Sequence, residues 1–177
     1  VTIIDDDSLD ASASSEALTV RNVAPAIATL VLASTSILEG ETAVVNGRFD
    51  DPALGIDTFS GTAFWSDGVS TALVINSSAG TFRGERHFSD DDPTGTPFDR
   101  FTVRIAISDD DGGRDSLTSS TLTVWNGAPT IDDAALRITS IDEGKTAVVT
   151  GRFDDPALGI DEFSGKAIWS DGVRTAL

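Results

Sequence analysis

A chain of 177 residues with 40% apolar content holds material for one or two domains of ordinary size. Its formal net charge of −17, from 29 acidic against 12 basic side chains, makes nucleic acid and anionic membrane surfaces poor partners and dissolved cations the natural counter-charge. With no cysteine, disulfides, thiolate catalysis and cysteine-ligated metal centres are excluded, and no apolar run approaches a membrane span.

No basic-then-apolar leader opens the chain, and there is no methionine, which fits a processed chain or an excerpt from a longer one. Sliding the sequence against itself by about 104 positions aligns it without a gap, and roughly 45 of about 73 overlapping residues are identical. The expected organisation is therefore tandem. Residues 1–23 read as the C-terminal strands of a preceding repeat, 24–127 as one complete repeat, and 128–177 as the N-terminal half of a following repeat. The chain as given is expected to start and end in mid-repeat.

The elements of the complete repeat follow in order. Asn22-Val23-Ala24-Pro25 is a junction, repeated as Asn126-Gly127-Ala128-Pro129, because proline and the polar residues before it break strands and stiffen a linker. A strand is predicted over 28–36, then the turn LEGE carrying Glu39, then a strand over 41–49. The acidic loop FDDPALGID follows, with Asp50, Asp51 and Asp57, and recurs with Asp154, Asp155 and Asp161. In the strand 58–65, Phe59, Gly61, Ala63 and Trp65 are the same in both copies while Thr58, Thr62 and Phe64 change, so one parity faces a core. Further strands are predicted over 69–75, 81–88, 101–108 and 115–125, separated by SDG, NSSAG, SDDDPTGTP and DDDGG. Phe101, Val103, Ile105 and Ile107 alternate cleanly as the buried parity of their strand. Seven or so strands in about 100 residues, with a buried tryptophan on the third, point to an all-β fold of immunoglobulin-like sandwiches, head to tail.

The repeat resembles the PKD-type repeat of bacterial surface and secreted proteins. The resemblance is carried by Trp65-Ser66-Asp67-Gly68, by Phe101-x-Val103-x-Ile105-x-Ile107-x-Asp109 followed by DDGG, and by the Asn-x-Ala-Pro junction. The glycine that the family has before Asp67 is missing, His87-Phe88 is a loose echo of a histidine–aromatic step, and SDDDPTGTPFD reads as an insertion. The resemblance implies a spacer or adhesive module, often in tandem and often calcium-dependent. A fold alone warrants no activity.

Catalysis has little material: one histidine, no tyrosine, and no G-x-S-x-G, H-E-x-x-H or Walker loop. His87 reads as a surface or hydrogen-bonded histidine, and the chain is not expected to be an enzyme. The aspartate clusters are more informative, since calcium takes six to eight oxygens from carboxylates, loop carbonyls and water. In a seven-strand sandwich alternate loops fall at opposite poles. Asp50, Asp51 and Asp57 then share the entry pole with Asp109, Asp110 and Asp111. Glu39 shares the exit pole with the loop Asp90–Asp92, which fits a cation site and a plain solvated turn equally well. Stacking brings Glu39 and the Asp90–Asp92 loop towards Asp154, Asp155 and Asp161 of the next repeat, and Glu143 is Glu39's counterpart there. Asp67 is expected to bond its own backbone. Trp65 and Trp169 are expected in cores, and Trp125, which aligns with Arg21, is expected at the surface near the junction.

The expected function is that of an extracellular or cell-surface structural and adhesive repeat, a stalk or fibre stiffened by calcium at its junctions and bacterial in character. Its partners would be neighbouring repeats of the same chain, with other copies in a filament as a further option. The alternative is an accessory polysaccharide- or protein-binding module of a secreted hydrolase, which needs an exposed aromatic platform.

Overall fold

A computed structural model describes residues 1–91 and 94–177, and every regular element among them is a strand. Asp92 of the predicted exit-pole loop lies outside the described residues. A short hairpin, β1 (Thr2–Ile4) and β2 (Asp10–Ser12), comes first. Eleven strand segments follow: β3 (Ala26–Leu32), β4 (Ser36–Leu38), β5 (Thr42–Asp50), β6 (Ser60–Trp65), β7 (Ser70–Ala72), β8 (Val74–Asn76), β9 (Thr81–His87), β10 (Phe98–Phe101), β11 (Val103–Ser108), β12 (Arg114–Thr118) and β13 (Leu122–Trp125). Two further pairs close the chain, β14 (Thr130–Leu136) with β15 (Val149–Asp154), and β16 (Lys166–Ile168) with β17 (Arg174–Ala176).

One sheet has the order β3-β5-β9-β8, and across the core lies β12-β11-β6-β7. The segments β10 and β13 continue β11 and β12 past short breaks and form a third ladder, β10-β13-β4, in which β4 runs parallel to β13. This distribution, with first, second, fifth and fourth strands on one side, is that of an immunoglobulin-like sandwich. The fold is all-β, as the turn-punctuated alternation of the sequence implies.

Several strands predicted as single are split. The stretch 28–36 ends as β3 at Leu32 and resumes as β4 in the opposite sheet. The stretch 69–75 changes sheets too: β7 pairs with β6, and after Leu73, β8 pairs with β9. Both sheets look into one core, so Thr71, Leu73 and Ile75 keep the same half-buried parity across the switch and the alternation never breaks. Thr102 splits β10 from β11, exchanging hydrogen bonds with Ser66 (Thr102 N to Ser66 Oγ 3.1 Å, Ser66 N to Thr102 O 2.9 Å).

The core is built from the inward parities of both sheets, with Val45, Ala63, Val103, Ile105, Leu122 and Val124 fully buried. Each large aliphatic side chain so buried contributes on the order of 1.5–3 kcal/mol. Trp65 is 3% exposed and meets Phe88 edge-on, ring centroids 5.5 Å apart, while Phe88 meets Phe101 at 4.8 Å. The Arg86 guanidinium lies 4.1 Å from the Phe88 ring centre and pairs with Asp67, Nη1 to Oδ1 at 2.8 Å. Asp67 also accepts the Val69 N–H at 3.2 Å, the local bond its turn predicts. Burial alone would raise the Asp67 carboxyl, but Arg86 and the Val69 amide hold it below the usual range. Its contribution is therefore present above about pH 4 and is lost as pH falls. Arg86→Ala is expected to cost about 1–3 kcal/mol in urea unfolding at pH 7, and to flatten the loss of stability between pH 5 and 3.

The second copy of the first hairpin repeats the first in register. β3 pairs with β5 from Ala26↔Asp50 with a bulge between Ile27 and Thr29, and β14 pairs with β15 from Thr130↔Asp154 with a bulge between Ile131 and Asp133. The bulge pushes a carbonyl towards Gly47, where an added Cβ would sit 2.3 Å from Thr29 O, and Gly151 faces Asp133 O at 2.5 Å in the same way. Trp169, expected in a core like Trp65, is only half-buried. The strands that cover Trp65, β9 and β10, have no equivalents among the 177 residues.

Candidate metal centre

The loop FDDPALGID is a self-bonded turn rather than a loose connection. Ala53 N donates to Asp51 Oδ1 at 2.7 Å, and Ile56 N and Asp57 N both donate to Ala53 O at 2.9 and 3.0 Å. Gly55 takes φ +80°, which a side chain would resist. At the base of the loop Phe49 and Phe59 stack with centroids 4.9 Å apart. The second copy reproduces each feature: Ala157 N to Asp155 Oδ1 at 2.9 Å, Asp161 N to Ala157 O at 3.1 Å, and Phe153 against Phe163 at 4.9 Å. One carboxylate oxygen of Asp51 and of Asp155 is thus consumed inside the turn. The other, Oδ2 in each, is buried and accepts no hydrogen bond.

At the entry pole of residues 24–127 the expected acidic neighbours do meet. Burial, followed by the charges of Asp110, Asp51, Asp111 and Asp109, raises the Asp57 carboxyl above its ordinary range. Asp110 Oδ1 accepts Thr58 N at 3.2 Å. Asp109 is committed elsewhere, accepting Asn22 Nδ2 at 2.9 Å and Gly113 N at 2.7 Å, and these donors outweigh burial and lower its carboxyl. Asp109 therefore ties the Asn-x-Ala-Pro linker to the repeat that follows it. Among the described residues no three carboxylates of this pole converge on one point, and Asp50 stays exposed at the end of β5.

Convergence occurs at the other pole, where the second copy of the loop docks. Glu39 follows β4, its N–H donating to Trp125 O at 2.9 Å and its Oε1 accepting Gly127 N at 2.7 Å. Glu39 is 1% exposed, and its Oε2 has no hydrogen-bond partner. Carboxylate oxygens of Glu39, Asp155 and Asp161 lie within 4.8 Å of one another, and so do those of Glu39, Asp90 and Asp91. Two ligands of one calcium at 2.3–2.6 Å can be at most about 5 Å apart, so each trio fits the span of a single ion. Burial first, then Asp161, Asp155 and Asp91, raise the Glu39 carboxyl against the pull of the Gly127 amide. Burial and then Asp90, Asp99 and Asp161 push Asp91 up to about 6. Like charges are thus gathered around the buried Glu39, Asp91 and Asp155, with Asp90 and Asp161 half-buried beside them, and the ion pairs at Arg83–Glu85 and Arg86–Asp67 lie outside this cluster.

The other residues expected to bind metal stand apart. Asp154 is exposed at the end of β15 and Glu143 is exposed in its turn, both outside the two trios. Asp90 and Asp91 join Glu39 from the loop that, by sequence, fits a cation site and a plain solvated turn equally well. That loop occurs once in the 177 residues, so self-comparison is silent about it.

Apolar contact supplements the charges. Ala157 is fully buried, and Pro156 reaches Gly127 and Gly40 so closely that an added Cβ would come within 2.9 Å and 3.0 Å of its ring. The Gly127→Ala substitution is expected to undo this seat. Amide exchange at Ala157 and Asp161 should quicken about tenfold or more, while the Val45 and Ile105 amides keep their protection.

No family model matches the chain, and no curated protein matches it. Among solved structures the chain is similar to the major pilin subunit BcpA of Bacillus cereus, with 10% sequence identity, covering 99% of this chain and 69% of that one at a TM-score of 0.35. A superposition that loose carries no argument about this chain. No helix among the described residues is long and apolar enough to cross a membrane.

Proposed function

We propose that the chain belongs to a non-catalytic, extracellular structural protein, in which immunoglobulin-like sandwiches of about 104 residues stack head to tail into a stalk or fibre. Calcium at the joints holds successive sandwiches in line. The observation that carries this reading is the meeting of Glu39, from the exit pole of one repeat, with Asp155 and Asp161 from the entry loop of the next. An all-oxygen, all-carboxylate set suits a hard cation, and loops supply carbonyls and water for the remaining positions. Calcium is favoured over magnesium because magnesium holds its water and demands octahedral geometry at shorter distances.

With a cation in place, each repeat would add roughly 35–45 Å of reach, since strands of about ten residues rise about 3.4 Å per residue. Without one, five carboxylates face each other and the joint is driven apart. The test is small-angle scattering of the chain in millimolar calcium and in chelator. A maximum dimension that is larger and better defined in calcium supports the reading; identical profiles and identical melting curves would sink it. The alternative, an accessory module docking on polysaccharide, asks for a flat aromatic platform. Trp125 is 43% exposed and stacks on Phe98 at 4.9 Å, but the rings are tilted by 51° and the indole N–H is tied to Ser36.

A further inference from the structure

We infer that the junction takes a pair of divalent cations, with the Glu39 carboxylate shared between them, one ion on Asp90 and Asp91 and the other on Asp155 and Asp161. The inference rests on the cation-bridged reading above and goes further, assigning the number of ions, the bridging ligand and a separate duty to each ion.

Two trios of carboxylate oxygens exist, each within a 4.8 Å span, and Glu39 is the one residue common to both. Acidic residues gathered on loops are not in themselves a binding site. Here three of them are buried with an oxygen left over: Glu39 Oε2 at 1% residue exposure, Asp91 Oδ2 at 5% and Asp155 Oδ2 at 5%, none with a hydrogen-bond partner. A buried carboxylate oxygen without a donor is costly, by about 1–3 kcal/mol and more when charged. These three belong to the shared residue and to one member of each trio, so each half of the cluster holds a buried oxygen without a hydrogen-bond donor.

The orphan oxygens point to the same number, since Asp91 belongs to one trio and Asp155 to the other, and an ion seated in one trio leaves the buried oxygen of the other unserved. The oxygens are also divided between residues 24–127 and the repeat that follows. Asp90 and Asp91 sit on the same repeat as Glu39, so the first ion can be held without the next repeat and would pin the 90s loop against the turn after β4. Further along the chain Thr94 N and Oγ1 donate to Asp99 at 3.0 and 2.9 Å. The second ion needs both repeats. It is the clamp.

The experiment is calcium titration of the whole chain by calorimetry, with equilibrium dialysis to count ions, on wild type and three near-isosteric variants. Circular dichroism in chelator checks that each variant folds. Asp91→Asn is expected to lose one calcium equivalent and keep the calcium-dependent protection of the Asp161 amide. Asp155→Asn should lose one equivalent together with that protection. Glu39→Gln, which keeps the bond from Gly127 N, should lose two equivalents. If Asp91→Asn leaves the count unchanged, or Glu39→Gln loses a single equivalent, the paired site is wrong while a one-ion joint survives. No calcium binding by the wild type would overturn both.

Discussion

Truncating Phe49 to alanine is expected to lower the melting midpoint of the chain by roughly 15–30 °C, the consequence of losing about 3–5 kcal/mol. Phe49 is 1% exposed, closes the core beneath the acidic loop and stacks on Phe59. Its removal leaves a cavity at the rim of the sandwich and frees the strand end that carries Asp50 and Asp51. The repeat supplies an internal control. Phe153 occupies the same place in the same ring pair, yet is 42% exposed. Phe153→Ala should therefore cost about 1–2 kcal/mol and leave the main cooperative transition in place. Calorimetry on the two variants measures the difference, and equal losses would mean that local ring stacking, not burial, holds the loop.

The second large effect is a change of sign at Glu39. At a calcium concentration 100 times the dissociation constant, binding adds about 2.7 kcal/mol, or about 10 °C or more in the midpoint. Extracellular calcium modules commonly bind at 10⁻⁴–10⁻³ M, so roughly 10–100 mM calcium reaches that regime. Glu39→Gln should lose the gain. In chelator the same variant should be more stable than wild type, because it removes a buried charge that Asp161, Asp155 and Asp91 oppose. The crossing of the two melting orders is the signature, and parallel curves would disprove it.

Acid should act as a weak substitute for metal. The Asp91 carboxyl is pushed from 3.8 to about 6, so its destabilising charge appears as pH rises through about 6. In chelator the chain should then be more stable at pH 5 than at pH 7. Below about pH 4 the trend turns, as Asp67 and Asp109, both held below the usual range, begin to take up protons. In calcium the order between pH 5 and 7 reverses, since protons and cations compete for the same oxygens. Thermal melts at the two pH values, with and without calcium, read this directly.

The poles were legible in the sequence because they follow from strand parity and loop alternation, and these are set by period-2 patterns such as Phe101, Val103, Ile105 and Ile107. The meeting of Glu39 with Asp155 and Asp161 was legible for the same reason, given a repeat that aligns without a gap. Strand breaks were not, since the switch at Leu73 moves the chain between sheets without disturbing which side chains face inward. Nor could the sequence separate Asp154 from Asp155 or Glu143 from Glu39. Asp155 and Glu39 are the buried members of those pairs, and burial at a joint depends on the neighbouring repeat. Asp91 was legible only as one of three aspartates in the Asp90–Asp92 loop, placed at the exit pole with a cation site and a solvated turn equally favoured, because that loop has no periodicity to mark which of them is buried.

The parallel pairing of β4 with β13 has a mechanical consequence. The chain enters the sandwich at one pole and leaves at the other, so tension along a fibre pulls β4 backwards by its start and β13 forwards by its end. Thr123 N to Thr35 O, Glu39 N to Trp125 O and Gly127 N to Glu39 Oε1, at 2.9, 2.9 and 2.7 Å, then bear the load together. Hydrogen bonds loaded in shear break as a group, whereas those of a peeled hairpin break one at a time. The residue proposed to gather cations at the joint is thus also a fastening between β4 and the end of β13, and on that proposal the strength of a fibre under pull would rise and fall with the calcium around it.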